Sequence, residues 1–428
     1  MERPGPQLHG GFGANLIDRG GHHVVDKRPI SQPHAIPPTV WALGLVSMFM
    51  DISSEMIHGL LPIFVTGVLG ASVTMLGLID GLAEATASIS KIFSGYISDR
   101  IGKRRPLILL GYGLGAASKP LFALAMSPIP VLGARFIDRI GKGMRGAPRD
   151  ALVADITPLA DRGRAYGLRQ ALDTVGGFVG PLLAIVLLAL FAGNIRLVFW
   201  CAVIPGAIAV ALVVFGVRDP PSAPPAGKVR FPLRVDELRR MPRGFWVITG
   251  IGVVFTMARF SEAFLILKAS DEGLPLALTP LVLVAMSLVY SLGAYPAGII
   301  SDRSGPHRLL LLGLGCLIGA DLLLALGHGL AMTFAGIGLW GAHMALSQGL
   351  LAQLVAQHAP LDRRGSAFGL FNLVTGVTML VASLLAGLLW DRSGPAATFL
   401  AGAGFALLAG LLLVGLRAAI RPDATRQA

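Results

Sequence analysis

Apolar stretches of about 20 residues recur along almost the whole chain, separated by short connections that hold much of its charge. Each stretch can cross a hydrocarbon core about 30 Å thick, and a spanning segment must satisfy its own backbone polar groups, so the runs read as helices. They are too long and too continuous for the short alternating strands of an outer-membrane barrel. The pattern predicts an all-α membrane protein with twelve transmembrane helices, at about 40–66, 72–98, 106–126, 129–154, 164–190, 196–217, 244–269, 276–300, 308–327, 330–356, 366–389 and 395–417. Basic residues gather in alternate connections: Arg100, Lys103, Arg104 and Arg105 after span two, Arg162 and Arg164 after span four, Arg303 and Arg308 after span eight, Arg363 and Arg364 after span ten. By the positive-inside rule both termini lie in the cytoplasm, and the lipid bilayer is read as the bacterial inner membrane, crossed many times.

The chain repeats. Gly95-Tyr-Ile-Ser-Asp99-Arg100-Ile-Gly102-Lys-Arg-Arg returns as Gly298-Ile-Ile-Ser-Asp302-Arg303-Ser-Gly305-Pro-His-Arg. Pro158-Leu-Ala-Asp161-Arg-Gly-Arg-Ala-Tyr-Gly167 returns at nearly the same offset as Pro360-Leu-Asp362-Arg-Arg-Gly-Ser-Ala-Phe-Gly369, and Ser54-Glu55 is echoed by Ser261-Glu262. Separate motifs holding one offset indicate a duplicated six-helix unit. The expected organisation is an N-terminal tail over 1–39, two pseudo-symmetric six-helix bundles over 40–217 and 244–418, a Pro- and Arg-rich cytoplasmic linker over 218–243, and a short tail over 419–428.

Composition agrees with the pattern. Only 14% of the 428 residues are charged, against roughly a quarter in soluble domains. The net charge of +12 could suit a nucleic-acid binder, but the cations sit where membrane topology wants them, so no nucleic-acid partner is expected. Cys201 and Cys316 lie in apolar spans and imply no disulfide framework. The leader has no compact apolar core and reads as a flexible cytoplasmic tail, its His9, His22, His23 and His34 lacking the spacing of metal ligands.

The segment Gly95 to Arg105 resembles the signature loop of the major facilitator superfamily, with a degenerate copy from Gly298 to Arg308. The resemblance covers roughly Trp41 to Leu416 and implies the fold of that superfamily. It also implies a conformational latch of Gly95, Asp99, Arg100, Gly102 and Arg104, with Asp302 and Arg303 in the second copy. Asp99, at a helix end, can pair with arginines of a neighbouring helix and hold the halves together in one state. Span five carries Gly176-Gly-Phe-Val-Gly180-Pro181, which looks like the Gly-x-x-x-Gly-Pro motif of antiporters of the superfamily, although Ala184 stands where a glycine is usual. Span four carries Arg139-Ile-Gly-Lys142-Gly143, similar to the superfamily's Arg-x-x-Gln-Gly motif with Lys142 in the place of Gln.

Ionisable groups inside spans are costly unless they face water or one another, which makes them candidates for function. Asp51, Glu55 and His58 fall at i, i+4 and i+7 on one face of span one. Span two adds Asp80 and Glu84, read as nearer the outside, and span four adds Arg135, Asp138 and Arg139. Asp138 and Lys142 can pair at i, i+4, and Lys119 offers another counter-ion. Arg145, Arg149 and Asp150 read as lying near the cytoplasmic mouth, and in span seven Arg259 and Glu262 can neutralise one another at i, i+3. The resemblance implies that helices one, four, seven and ten line a central cavity, so acidic span one can face basic span four. These residues are therefore the candidate substrate and proton-coupling site, with either Asp51 or Glu55 as the proton carrier or each in a permanent salt bridge to Arg135 or Arg139. Met48 and Met56 beside His58 could suggest a soft metal site, but the two methionines do not share a face.

No nucleotide-binding Gly-x-x-x-x-Gly-Lys-Ser/Thr loop and no nucleophile–base spacing is visible, so neither direct ATP coupling nor an enzyme is expected. The expected protein is a monomeric secondary transporter that needs no cofactor, draws on the proton gradient and moves a small-molecule solute by alternating access. Proton-coupled efflux of a drug-like or organic compound leads. Uptake of an organic anion or metabolite follows, suggested by the arginines of span four. A metal-ion transporter and a non-transporting membrane sensor or assembly protein are lesser alternatives.

Overall fold

The computed structural model describes residues 36–220, 241–304, 306–360 and 364–416. The leader histidines, most of the linker, Gly305, Asp362, Arg363 and the C-terminal tail lie outside the described residues, as do the surroundings of Gly298 and the side chains of Asp302 and Arg303.

Twelve membrane-length helical segments run through the described residues. In the first half they are α1 (Pro38–His58, continued by Leu61–Ile63 and a wide π-turn, Phe64–Val68), α2 (Val73–Ile101), α3 (Arg105–Leu124), α4 (Pro128–Ile156), α5 (Arg162–Leu190) and α6 (Ile195–Gly216). In the second they are α7 (two pieces, Arg243–Ala258 and Ala263–Asp271), α8 (Leu281–Ser304), α9 (Pro306–Leu326), α10 (Gly329–His358), α11 (Arg364–Ser393) and α12 (Pro395–Gly415). Turn chemistry sets several boundaries. Ser72 caps α2 by accepting from the Met75 N–H at 3.2 Å, and Gly102 ends it in the left-handed region at φ 69°, which a side chain would strain. Prolines open α1, α3, α4 and α12, where a missing N–H costs nothing.

Ten of these segments are long and apolar enough to cross a membrane on composition alone. The other two, α2 and α4, are 29 residues each and carry the densest charge, which they turn inward: Asp80 on α2 and Arg135, Asp138, Arg139 and Arg145 on α4 are buried. Large apolar side chains such as Leu190, Phe215, Leu292 and Leu411 are exposed on the outside, the surface a lipid-facing belt requires.

In the first half α1 packs on α5 and α6, and α4 on α2 and α3; in the second α10 packs on α8 and α9, and α9 on α12. The α2–α11 pair runs between the halves. The sequence repeat is also a repeat of helix breaks, since α1 is interrupted at Gly59–Leu60 and α7 at Arg259–Glu262. Around the α7 break the backbone is re-satisfied locally: the Phe264 N–H donates to the Ser261 carbonyl and the Ala263 N–H to Ser261 Oγ. Broken helices facing each other across a membrane protein are where irregular backbone can line a cavity.

Candidate functional site

One end of the bundle, the end where α1 finishes and α2 begins, is sealed by contacts between the halves. A β-carbon on Gly81 would lie 2.8 Å from Leu380 Cα, and one on Gly387 2.7 Å from Thr74 Cα, so α2 and α11 touch backbone to backbone along two turns. Gly77 meets the Ser383 carbonyl oxygen in the same way. At the rim Asp391 of α11 accepts from the Val73 N–H at 3.0 Å, the Thr74 N–H at 2.8 Å and Thr74 Oγ1 at 2.5 Å, a cap for the first turn of α2 delivered from the opposite half. Ala263, Leu267 and Trp390 of the second half join the apolar cluster around Phe64, Leu76 and Phe199 of the first. Asp391→Ala removes all three accepted bonds and is expected to cost about 1–2 kcal/mol, read as a lower melting temperature of the solubilised protein; an unchanged melt would show that the cap carries no stability.

Below the seal a cavity of about 490 Å³ lies between the halves, lined by Glu55, His58, Asp80, Glu84, Arg135, Arg139, Lys142, Arg259, Ser261, Glu262 and Tyr290 among others. Most of its charges are already matched. Arg135 donates to Asp80 at 3.3 Å, both side chains 4% exposed, and Asp80 also accepts from Ser261 Oγ of α7 at 2.7 Å, a hydrogen bond across the halves. Arg139 lies 3.4 Å from Glu84 and 3.8 Å from Asp138. Glu55 sits 3.4 Å from His58 of its own helix. Behind the cavity wall Lys119 Nζ donates to Asp138 Oδ1 at 2.8 Å and to Ser54 Oγ at 3.0 Å, fully buried between α1, α3 and α4. Three charged side chains in the cavity differ from these: Lys142, Arg259 and Glu262 make no hydrogen bond or ion pair with any described residue.

The site therefore gathers Glu55, His58, Asp80, Glu84, Arg135, Arg139, Arg259 and Glu262 around one space, with Asp138 one layer behind. Asp51 lies apart from them, with its β-carbon against Gly176 of α5. Pairing differs from what spacing along one helix suggests. Asp138 takes Lys119 from α3 instead of Lys142 four residues on, and Arg135 and Arg139 take their carboxylates from α2 instead of α1. Asp80 and Glu84 both line the cavity. Arg145 is buried with its guanidinium 4.7 Å from the Tyr112 ring, while Arg149 reaches Ser47 at 2.8 Å and Asp150 at 3.2 Å. The hydroxyls Ser261 and Tyr290 and the apolar wall described below were not legible as site residues, because serine, tyrosine and phenylalanine in a helix carry no signal of which way they face.

The glycines of the α5 motif act by close approach to α1. A β-carbon on Gly176 would fall 2.5 Å from the Met48 carbonyl, and one on Gly180 2.8 Å from Glu55 Cβ, so the motif holds α5 directly behind the acidic face of α1. Pro181 follows, buried within the helix. At the other end of the bundle, Asp99 pairs with Arg104 at 2.5 Å; Arg104 also reaches Asp155 of α4 at 3.3 Å, and the Arg104 and Arg105 N–H groups donate to Asp219 at 3.1 and 2.9 Å. In this conformation the loop thus binds α2, α3, α4 and the end of α6 into one unit of the first half. Gly95 lies beside Ala147 of α4, and Arg100 is exposed. Among the described residues no three His, Cys, Asp or Glu side chains are grouped so as to hold a metal ion.

A twelve-helix membrane protein with an open, charged cavity between its two halves, closed at one end by helix contacts, has the architecture of a solute transporter. The family description Major Facilitator Superfamily matches residues 43–285 and 263–428, and the chain belongs to that superfamily, whose members are transporters and not enzymes. It is 32% identical over 386 residues to an uncharacterized MFS-type transporter of Methanocaldococcus jannaschii, covering 88% of this chain and 94% of the relative. A shorter match, 33% identical over 121 residues and 28% of this chain, joins it to 30% of the multidrug resistance protein MdtH of Edwardsiella ictaluri. Its fold superposes on a mutant of the nucleoside transporter NupG with TM-score 0.73 at 13% identity, covering 88% of this chain and 99% of that one.

Proposed function

We propose that the protein is a monomeric, proton-coupled antiporter of the cytoplasmic membrane that expels a small organic solute by alternating access, with both termini in the cytoplasm. The observation that carries the reading is the cavity between the halves, lined by ionisable groups of α1, α2, α4 and α7 and sealed at one end by α2 and α11. Positive-inside counting puts the sealed end outside, so the cavity takes solute from the cytoplasm in this conformation. The α5 motif supports antiport, because it presses on the turn of α1 that holds Glu55. The local similarity to a multidrug resistance protein supports an exported organic solute.

Coupling follows from the carboxylates. A carboxylate that must be paired or protonated when water is excluded can exchange a proton for the solute as the cavity changes sides. Glu55, with His58 as its partner and its side chain open to the cavity, is the first candidate. In proteoliposomes with an imposed proton gradient, a screen of labelled organic solutes should find one that accumulates for a single direction of the gradient. Glu55→Gln should flatten the pH dependence of that flux. Accumulation indifferent to the sign of the gradient would remove the coupling, and an unaltered pH profile in Glu55→Gln would remove Glu55 as carrier.

Uptake of an organic anion is the second reading. It is favoured by one feature of the cavity, the cations Lys142 and Arg259, which form no direct ion pair with a described carboxylate.

A further inference from the structure

The charged cavity does not end at its charged wall. A second chamber, of about 320 Å³, adjoins it on the side of α7, α10 and α11, and the two share Glu84, Arg259 and Met379. Its wall is less charged: Phe255, Leu351, Phe368 and Phe371 form an apolar side beside the neutral polar groups Ser88, Thr256, Asn372 and Thr375, with Met379 at the junction. Neither chamber is enclosed, and each falls within the roughly 300–1,000 Å³ of a small-molecule site. Leu351 lies near the end of α10 and Phe368 near the start of α11, so the apolar chamber extends away from the seal.

At the junction stands Arg259, placed there by the break in α7, and across the charged chamber stands Lys142 of α4. Arg135 and Arg139 have ion pairs with Asp80 and Glu84, but Lys142 and Arg259 form no direct ion pair among the described residues. Two cations from opposite halves, facing one space inside a membrane with no carboxylate in direct contact, leave their hydrogen-bond donors open to an anion between them. The apolar wall beginning at Arg259 calls for a hydrocarbon or aromatic body attached to it.

We infer that the solute is an amphiphilic organic anion, its acid group held between Lys142 and Arg259 and its apolar body lying along Phe255, Phe368 and Phe371. The acid can be a carboxylate, sulfonate or phosphate, since all three offer the oxygens that a guanidinium and an ammonium bind. Because the two cations belong to different halves, such an anion draws them together, and its binding favours closure of the cavity around it. Glu55, outside this cation pair, remains the candidate for the proton. The assignment rests on the proposed transport function in one respect, that the cavity is where the solute sits.

The test is a binding measurement, which needs neither flux nor coupling. Calorimetric titration of the full chain in lipid nanodiscs, corrected with empty discs, compares four probes: 2-naphthoate, decanoate, acetate and 2-naphthylmethylamine. The two amphiphilic anions are expected to bind at least about ten-fold more tightly than acetate, which lacks the body, and than the amine, which reverses the charge. Arg259→Gln and Lys142→Gln should each weaken 2-naphthoate by about ten-fold or more, Arg259→Lys should restore part of it, and Phe371→Ala should weaken both amphiphilic anions but not acetate. Equal or tighter binding of the amine, or anion binding indifferent to Lys142 and Arg259 in variants that melt like the parent, overturns the assignment. Should the flux screen find a proton-coupled solute that is neither anionic nor amphiphilic, the inference falls and the transport function stands. Should 2-naphthoate bind through Arg259 while no solute crosses, the site stands and the transport function falls.

Discussion

Asp138→Asn is expected to destabilise the solubilised protein by about 3–5 kcal/mol. The Lys119 ammonium is fully buried and has two partners, Asp138 at 2.8 Å and the neutral hydroxyl of Ser54 at 3.0 Å. Asparagine can keep an amide oxygen beside the ammonium but supplies no negative charge, and leaving a buried charge uncompensated costs far more than the pair contributes over an apolar replacement. The reverse change, Lys119→Met, should cost less, because Asp138 keeps Arg139 at 3.8 Å. Replacing both, Lys119→Met with Asp138→Leu, should recover much of the loss. Melting temperatures of the four proteins in detergent decide the matter. Single variants that melt like the parent would show that the pair is hydrated and not buried, and a double variant as unstable as Asp138→Asn would show that the site needs polarity for its packing.

The second large effect concerns the seal. Gly77→Val places a β-carbon on the carbonyl oxygen of Ser383, where no real contact fits, and the neighbouring approaches at Gly81 and Gly387 are backbone to backbone, so no side chain can swing away. Overpacking of this kind costs about 1–3 kcal/mol, which is roughly a 5- to 150-fold loss in population of the sealed state relative to the opposite one. A cysteine pair at Thr74 and Asp391, in a background with Cys201 and Cys316 replaced by serine, reports that population by its rate of disulfide formation. Those two residues touch in this conformation. The parent should crosslink readily and lose transport when crosslinked, and Gly77→Val should slow the crosslink by that factor. Equal rates would mean that α2 and α11 adjust around the extra methyls and that the glycines do not set the gate.

How much of this was legible in the chain differs from element to element. The α2–α3 loop was readable because a left-handed turn at Gly102 and a helix end at Asp99 leave few choices of residue. The break in α7 was not. Arg259, Ser261 and Glu262 follow one another in an otherwise apolar run and read as a local ion pair on a continuous helix. The interruption instead sends Ser261 to Asp80 of the other half and leaves Arg259 and Glu262 in the cavity without a direct ion pair. Helix periodicity tells which residues share a face of one helix but not which face of another helix meets them. Asp138 illustrates the limit: its own helix offers Lys142 at i+4, and packing of α3 on α4 delivers Lys119 instead.

The sequence by itself determined that the chain is an all-helical, multi-pass membrane protein, that its two halves repeat, and that its ionisable groups concentrate on spans one, two, four and seven. Those properties follow from chain-local physics: hydrocarbon thickness, backbone hydrogen bonding and the price of charge in lipid. Only the tertiary structure decided which carboxylate neutralises which cation, which end is sealed, and which charges are left over. Those depend on the approach of helices far apart in the chain, set by bare glycine surfaces at Gly77, Gly81, Gly176, Gly180 and Gly387. The residues left unmatched, Lys142, Arg259 and Glu262, are defined only after every other pairing has been made.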